Sequence, residues 1–208
     1  MHAFVSAIIL TALVWSYGSD AIAALKEGID AYYDGRYGVA LKELRPLAEE
    51  KLPEAQFYLG VMYAKGRGIP QDFQKALHWY RLAAEQGFPK AMANLGGMYS
   101  KGYGVPKDYA QAIHWYEEAA AQQLPEAQYN LGVMYKEGHG VARDLVKAHM
   151  WFNLAASQGH RESYRARTLV SKMMTPEQIA AAQTLAREWR ETKESCLQSP
   201  SLHDSKCP

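Results

Sequence analysis

Cysteine is almost missing from this chain, with two residues in 208. Two thiols neither staple a disulfide scaffold nor complete a four-sulfur zinc site. An excess of charge is missing too: 23 Lys and Arg face 22 Asp and Glu, a formal charge of +1. Phosphate backbones demand concentrated Lys and Arg, so nucleic acid is excluded as the main partner. No apolar run reaches the ~20 residues that a membrane helix requires. His-Glu-x-x-His, Cys-x-x-Cys, Ser-x-x-Lys, Lys-Thr-Gly and Gly-x-Ser-x-Gly are all absent. Metal hydrolysis and the common serine nucleophiles are thereby left without a motif. With 48% hydrophobic against 22% charged residues, the chain is not disordered as a whole. What it has in quantity is aromatic: 14 Tyr and 5 Trp.

The longest apolar run stands at the start. Ala3 to Trp15 is uncharged and apolar apart from Ser6 and Thr11, the length of a signal-peptide core. A more polar stretch, Ser16 to Asp20, leads to Ala21-Ile22-Ala23, an Ala-x-Ala cleavage pattern. Residues 1–23 are therefore expected to be a signal peptide, with the exported chain starting at Ala24 and no membrane span left after cleavage. The segment before the core carries only the α-amino charge. An uncleaved anchor or a buried first helix is the alternative.

The middle of the chain repeats itself. Residues 52–87, 88–123 and 124–159 align with a step of 36. Ala55, Ala91 and Ala127 are equivalent, as are Leu59/Leu95/Leu131, Gly60/Gly96/Gly132, Tyr63/Tyr99/Tyr135, Asp72/Asp108/Asp144 and Trp79/Trp115/Trp151. A self-similar period of this length signals a stacked helical array. In each unit a first helix opens near Pro53 and sets Ala55, Leu59 and Tyr63 on one stripe. A glycine loop, Lys65 to Pro70, ends it, and Asp72 is placed to cap the second helix. There Ala76, Trp79/Tyr80 and Ala83 form the buried face. On this pattern Trp115→Ala is expected to cost about 3–5 kcal/mol. Gly60 costs helix propensity, so its recurrence requires a packing reason.

The flanks are degenerate copies. Residues 24–51 trace a helix pair through Gly28, Tyr32, Ala40 and Leu44, without the long glycine loop. Residues 160–194 continue helically, but Arg167-Thr168 replaces Leu-Gly, and Thr175-Pro176-Glu177-Gln178 forms a capping box opening the last helix. Polar-faced terminal helices cap an array against solvent. Residues 195–208 form a Ser/Pro-containing tail.

The pattern A-x-x-x-L-G-x-x-Y-x-x-G-x-G-V-x-x-D-x-x-K-A-x-x-W-x-x-x-A-A-x-x-G resembles the Sel-one-like repeat, a relative of the tetratricopeptide repeat. Ala55, Leu59, Gly60, Tyr63, Gly66, Gly68, Asp72, Lys75, Ala76, Trp79, Ala83, Ala84 and Gly87 carry it, while Gln111 and Gln123 depart from it in the second unit. The resemblance implies an all-α, right-handed α-solenoid of helix–turn–helix repeats with a concave face that binds proteins or peptides. Members of the family resemble adaptors in signalling, secretion-linked quality control and cell-envelope processes. A periplasmic or secreted, non-catalytic adaptor without cofactor or metal is the resulting expectation. Some cysteine-rich relatives are linked to penicillin binding and β-lactam hydrolysis. Those carry a cysteine pair in each repeat, which this chain lacks. An envelope enzyme or subunit acting on peptidoglycan or β-lactams is the alternative.

By analogy with such stacks, ligand residues lie at variable positions of the first helices. Phe57/Ala93/Tyr129, Tyr58/Asn94/Asn130 and Val61/Gly97/Val133 form rows there. The candidate binding residues are Phe57, Lys65, Asn94, Lys101, Tyr129, Asn130 and Lys136, where lysines beside amides and aromatics suit a peptide backbone or carboxylate. His78 and His114 share one repeat position, but Met150 occupies it in the third unit, so core-edge or surface histidines are expected rather than metal ligands. Cys196 and Cys207 can close a small loop in an exported tail.

Overall fold

The computed structural model describes residues 2–198, with side chains from Gly18 to Ser195. Among the described residues there are ten helices and no strand. Two compact units, Met1–Ala91 and Met92–Pro208, divide the chain. In order, the helices are α1 (His2–Tyr33), α2 (Tyr37–Glu49), α3 (Pro53–Lys65), α4 (Phe73–Glu85) and α5 (Pro89–Lys101). They continue with α6 (Tyr109–Ala121), α7 (Pro125–Glu137), α8 (Leu145–Ser157), α9 (Arg161–Ser171) and α10 (Pro176–Gln198). The fold class is that expected, an all-α solenoid of consecutive helix–turn–helix repeats.

Local chemistry sets the helix ends. Pro53 and Pro125 stand in the first turn, where a missing N–H leaves no bond unmade. Gly66 and Gly138 close those helices in the left-handed region, with φ of 65° and 74°, a conformation that glycine adopts without a Cβ penalty. Each repeat's aspartate caps its second helix: the Asp72, Asp108 and Asp144 carboxylates accept the N–H of Lys75, Gln111 and Lys147 at 3.0, 3.0 and 2.9 Å. The Thr175–Gln178 box also forms, with Thr175 N–H donating to Gln178 Oε1 at 3.0 Å.

The packing reason for the recurring glycine is an aromatic ring. A Cβ on Gly60 would lie 2.7 Å from Tyr80, one on Gly96 2.7 Å from Tyr116, and one on Gly132 2.5 Å from Phe152. Gly28 faces Leu44 in the same way, at 2.7 Å. The ring that fills this gap belongs to the residue after the repeated tryptophan. Tyr80, Tyr116 and Phe152 are buried, whereas Trp79 and Trp115 are only half-buried. Of the expected Trp79/Tyr80 pair, Tyr80 is therefore the fully buried member and Trp79 the half-buried one. Trp151 is buried because α10 covers it, with the Trp189 ring 5.7 Å away, edge on.

Two buried amides tie helices together. Gln86 donates to Gln56 Oε1 at 2.8 Å, and Gln56 in turn donates to the Ala48 carbonyl at 3.1 Å. In the second unit Gln158 donates to Gln128 Oε1 at 2.9 Å. The Gln56 amide is thereby bonded at both ends, whereas the buried Gln128 Nε2 group has no hydrogen-bond partner.

Candidate functional site

The second unit carries a groove between the first helices α7 and α9. Tyr129, Val133 and Lys136 enter it from α7 at i, i+4 and i+7, one stripe of that helix. From α9 come Glu162, Arg165, Ala166 and Leu169, again one stripe, and the buried Phe152 ring of α8 forms the floor. Its volume is about 270 Å³. Apolar side chains lie open beside it: Tyr164 is 58% exposed, Leu169 61% and Met173 53%. Two of these stand on the short helix α9 and the third two residues beyond it, a concentration of exposed apolar side chains that is unusual for a surface with nothing to cover it.

The rim is cationic. Among the described residues, Arg161 and Arg165 of α9 have no ion-pair partner, and the single Glu162 reaches toward the His160 Nε2 atom at 3.7 Å. Lys136 Nζ donates to Glu137 Oε1 at 2.7 Å, and that bond holds the Glu137 carboxyl below its ordinary range.

The proposed ligand residues fall in different places. Tyr129 and Lys136 line the groove, and Asn130 is half-buried on the same helix. Asn94 is half-buried on α5, while Lys101 is exposed, its Nζ 5.7 Å from the Tyr103 ring centre. Phe57 and Lys65 belong to the other unit. There Phe57 packs among the rings of Tyr58, Tyr80 and Phe88, at 5.2, 6.0 and 5.2 Å, and Lys65 is exposed. The Cys196–Cys207 pair lies outside the described side chains. Arg165, Ala166 and Leu169 are functional candidates that the rows above stop short of. One further step of 36 residues from Tyr129, Asn130 and Val133 reaches them.

Two serine–histidine contacts bear on catalysis. Glu162, His160 and Ser163 stand in carboxylate–imidazole–hydroxyl order, at 3.7 and 2.7 Å. Ser163 has no exposed surface, and His160 Nδ1 also accepts the Ser163 N–H at 3.2 Å as a helix cap. In the second contact His149 Nε2 meets Ser171 Oγ at 3.1 Å, but that hydroxyl donates its proton to the Arg167 carbonyl at 2.8 Å. Nε2 is then the donor in that pair and does not act as a base toward Oγ. His78 and His114 are exposed, each ring against its own neighbouring tryptophan at 5.2 and 5.1 Å.

Comparison with known proteins follows from this architecture. The Sel1 repeat model matches residues 53–88, 89–124 and 125–160. A Sel1 repeat protein from Oxalobacter formigenes, known from its crystal structure, is 36% identical with a TM-score of 0.66, over 70% of this chain and 58% of its own. The protective antigen c5321 of uropathogenic Escherichia coli strains, which displays an SLR fold, is 27% identical with a TM-score of 0.59. That similarity covers 93% of this chain and 51% of the antigen. The chain thus spans little more than half the length of either structure. No curated protein matches it.

Proposed function

The chain belongs to the Sel1 repeat family, and from that premise we propose that it is an exported, non-catalytic adaptor that holds a partner protein or peptide in the α7–α9 groove. Sel1 repeat proteins commonly mediate protein–protein interaction and are typically scaffolds without catalysis. The observation that carries the choice of face is the continuation of the variable first-helix rows into Arg165 and Leu169, exposed beside an apolar floor. An apolar core with a charged rim is the general anatomy of a protein interface. Export is supported by the backbone of α1, which leaves helical geometry at Gly18 (φ 78°, ψ 162°). It is supported too by residues 18–24, none of which is buried, ahead of the buried Leu25 two residues beyond the Ala-x-Ala pattern. Among the described residues no helix is long and apolar enough to cross a membrane.

The test is retention of envelope proteins on the immobilised chain, against a variant carrying Tyr129→Ala, Arg165→Glu and Leu169→Asp. A protein held by the wild type and lost by an equally folded variant supports the groove. Equal retention by both moves the site elsewhere, and retention by neither refutes the adaptor.

A further inference from the structure

A second cavity, of about 310 Å³, lies between α8, α9 and α10, away from the groove. Its lining departs from the repeat at several positions. The step of 36 that gives buried Leu77 and Ile113 leads next to His149. The step that gives Leu59, Leu95 and Leu131, all fully buried, leads to Arg167. Tyr63, Tyr99 and Tyr135 lead to Ser171. Three apolar or aromatic positions thus become a polar cluster around one space, joined there by Asn153 and Gln183. Packing gives no account of this exchange, because Arg167 stands half-buried where the other repeats bury a leucine, and a cation withdrawn from water even in part needs compensation.

The compensation available is partial. Arg167 Nη1 donates to Asn153 Oδ1 at 2.7 Å, and the guanidinium lies 5.1 Å from the Tyr164 ring centre. Among the described residues no carboxylate forms an ion pair with it. His149 is 3% exposed and its Nδ1 atom has no hydrogen-bond partner. Burial first, and then the Arg167 charge, hold the imidazole pKa below its ordinary range, so the ring is neutral. With its proton on Nε2 toward Ser171, the neutral ring leaves Nδ1 as an acceptor, so what the lining offers an anion is the one positive charge of Arg167 and the amide N–H groups of Asn153 and Gln183.

We propose that this cavity binds the carboxylate of a small organic acid or of a short peptide's C-terminus, with Arg167 as its counter-ion and the Gln183 amide as a second donor. The single cation suits a monoanion rather than a phosphate dianion. The volume suits a group of a few heavy atoms, at the small end of ligand sites. A guanidinium recognises a carboxylate through paired N–H donors, and the atoms of Arg167 not engaged by Asn153 supply them. The inference stands apart from the adaptor groove, which neither Arg167 nor His149 lines.

The test uses nitrogen-15 spectra of the full chain, titrated with sodium acetate, with N-acetylglycine and with inorganic phosphate, against sodium chloride at equal ionic strength. Saturable shifts of the Arg167 Nε–H and the Gln183 side-chain amide are expected with a carboxylate. A tighter response to N-acetylglycine assigns the peptide source, and a tighter response to acetate the free acid. Arg167→Leu, which restores the leucine of the other repeats, should weaken the response of Gln183 at least tenfold while melting no lower than the wild type. Arg167→Gln, which keeps a donor toward Asn153, gives the same binding test if the leucine variant does not fold. No saturation by either carboxylate, saturation unchanged in these variants, or saturation by inorganic phosphate in preference to both would overturn the proposal.

Discussion

Gly96 and Gly97 are neighbours inside α5, and they should respond in opposite directions to the same substitution. Either change to alanine gains about 1 kcal/mol of helix propensity. What differs is the space each side chain enters. A Cβ on Gly97 meets its nearest neighbour, the Tyr116 hydroxyl, at 3.7 Å, which is ordinary contact. A Cβ on Gly96 meets Tyr116 Cδ1 and Cε1 at 2.7 Å and Cζ at 3.0 Å. That ring has little room to retreat. It is 4% exposed, its hydroxyl bonds Ser100, and burial pushes its pKa up to about 12. Overpacking of this kind costs about 1–3 kcal/mol. Gly97→Ala is therefore expected to stabilise by up to about 1 kcal/mol, and Gly96→Ala to range from neutral to about 2 kcal/mol destabilising. For a chain of this size the two melting temperatures should separate by roughly 2–12 °C, at about 2–4 °C per kcal/mol. Thermal melts followed by circular dichroism at one protein concentration measure the gap. Equal melting temperatures, or a higher one for Gly96→Ala, would refute the argument that the recurrent glycine exists to admit the ring.

Phe152→Ala should cost about 3–5 kcal/mol, because the ring is fully buried, whereas Trp115→Ala, at a half-buried position, should cost about 1–2 kcal/mol; urea melts of the two variants decide the order. Gln123 holds a φ of 60° where Gly87 and Gly159 stand in the neighbouring repeats, so Gln123→Gly should raise stability by about 0.5–1 kcal/mol in the same assay. His149, whose pKa burial and Arg167 lower, resists protonation in the folded state but not when unfolded. Stability should therefore be retained above about pH 6.5 and fall as pH drops below it. In His149→Leu this part of the acid-side decline should be missing, and an unchanged pH profile would contradict the assignment.

How much of this was legible in the sequence depends on which residues the repeat constrains. Ala55, Leu59, Asp72 and Gly66 recur because each has one structural task that only a few residue types perform, and the structure gives each the role its chemistry predicts. Which of the adjacent rings Trp79 and Tyr80 is the more deeply buried was not legible. Adjacent aromatics differ by about 100° around a helix, and an array of three repeats presents the same ambiguity three times. Gln56 and Gln128 were missed for another reason. A polar residue that recurs reads as surface until its partner outside its own helix is known, the Ala48 carbonyl accepting from Gln56 and the Gln158 amide donating to Gln128.

The positions that break the register are more informative about function than those that keep it. Where Leu131 becomes Arg167 and Ile113 becomes His149, the last copy of the repeat gives up apolar packing at the end of the array. The ordinary explanation for such a change is solvation of a terminal cap, which requires the new side chains to face water. His149 does not, being 3% exposed. Nor does solvation explain why Phe152, Val170 and Ala148 stay packed as a cluster of fully buried side chains in these same helices, so that apolar packing persists there around the polar residues. The outer face of α9 is charged as a cap requires, with Arg161, Glu162 and Arg165 exposed, but Leu169 stays exposed among them and Met173 is exposed two residues past the helix end. Solvation alone does not give this distribution: an exposed leucine stands among the charges outside, and a half-buried cation adjoins a buried neutral imidazole. Function accounts for both halves, since an open apolar side chain suits a macromolecular partner and a half-buried cation without a carboxylate suits an anion.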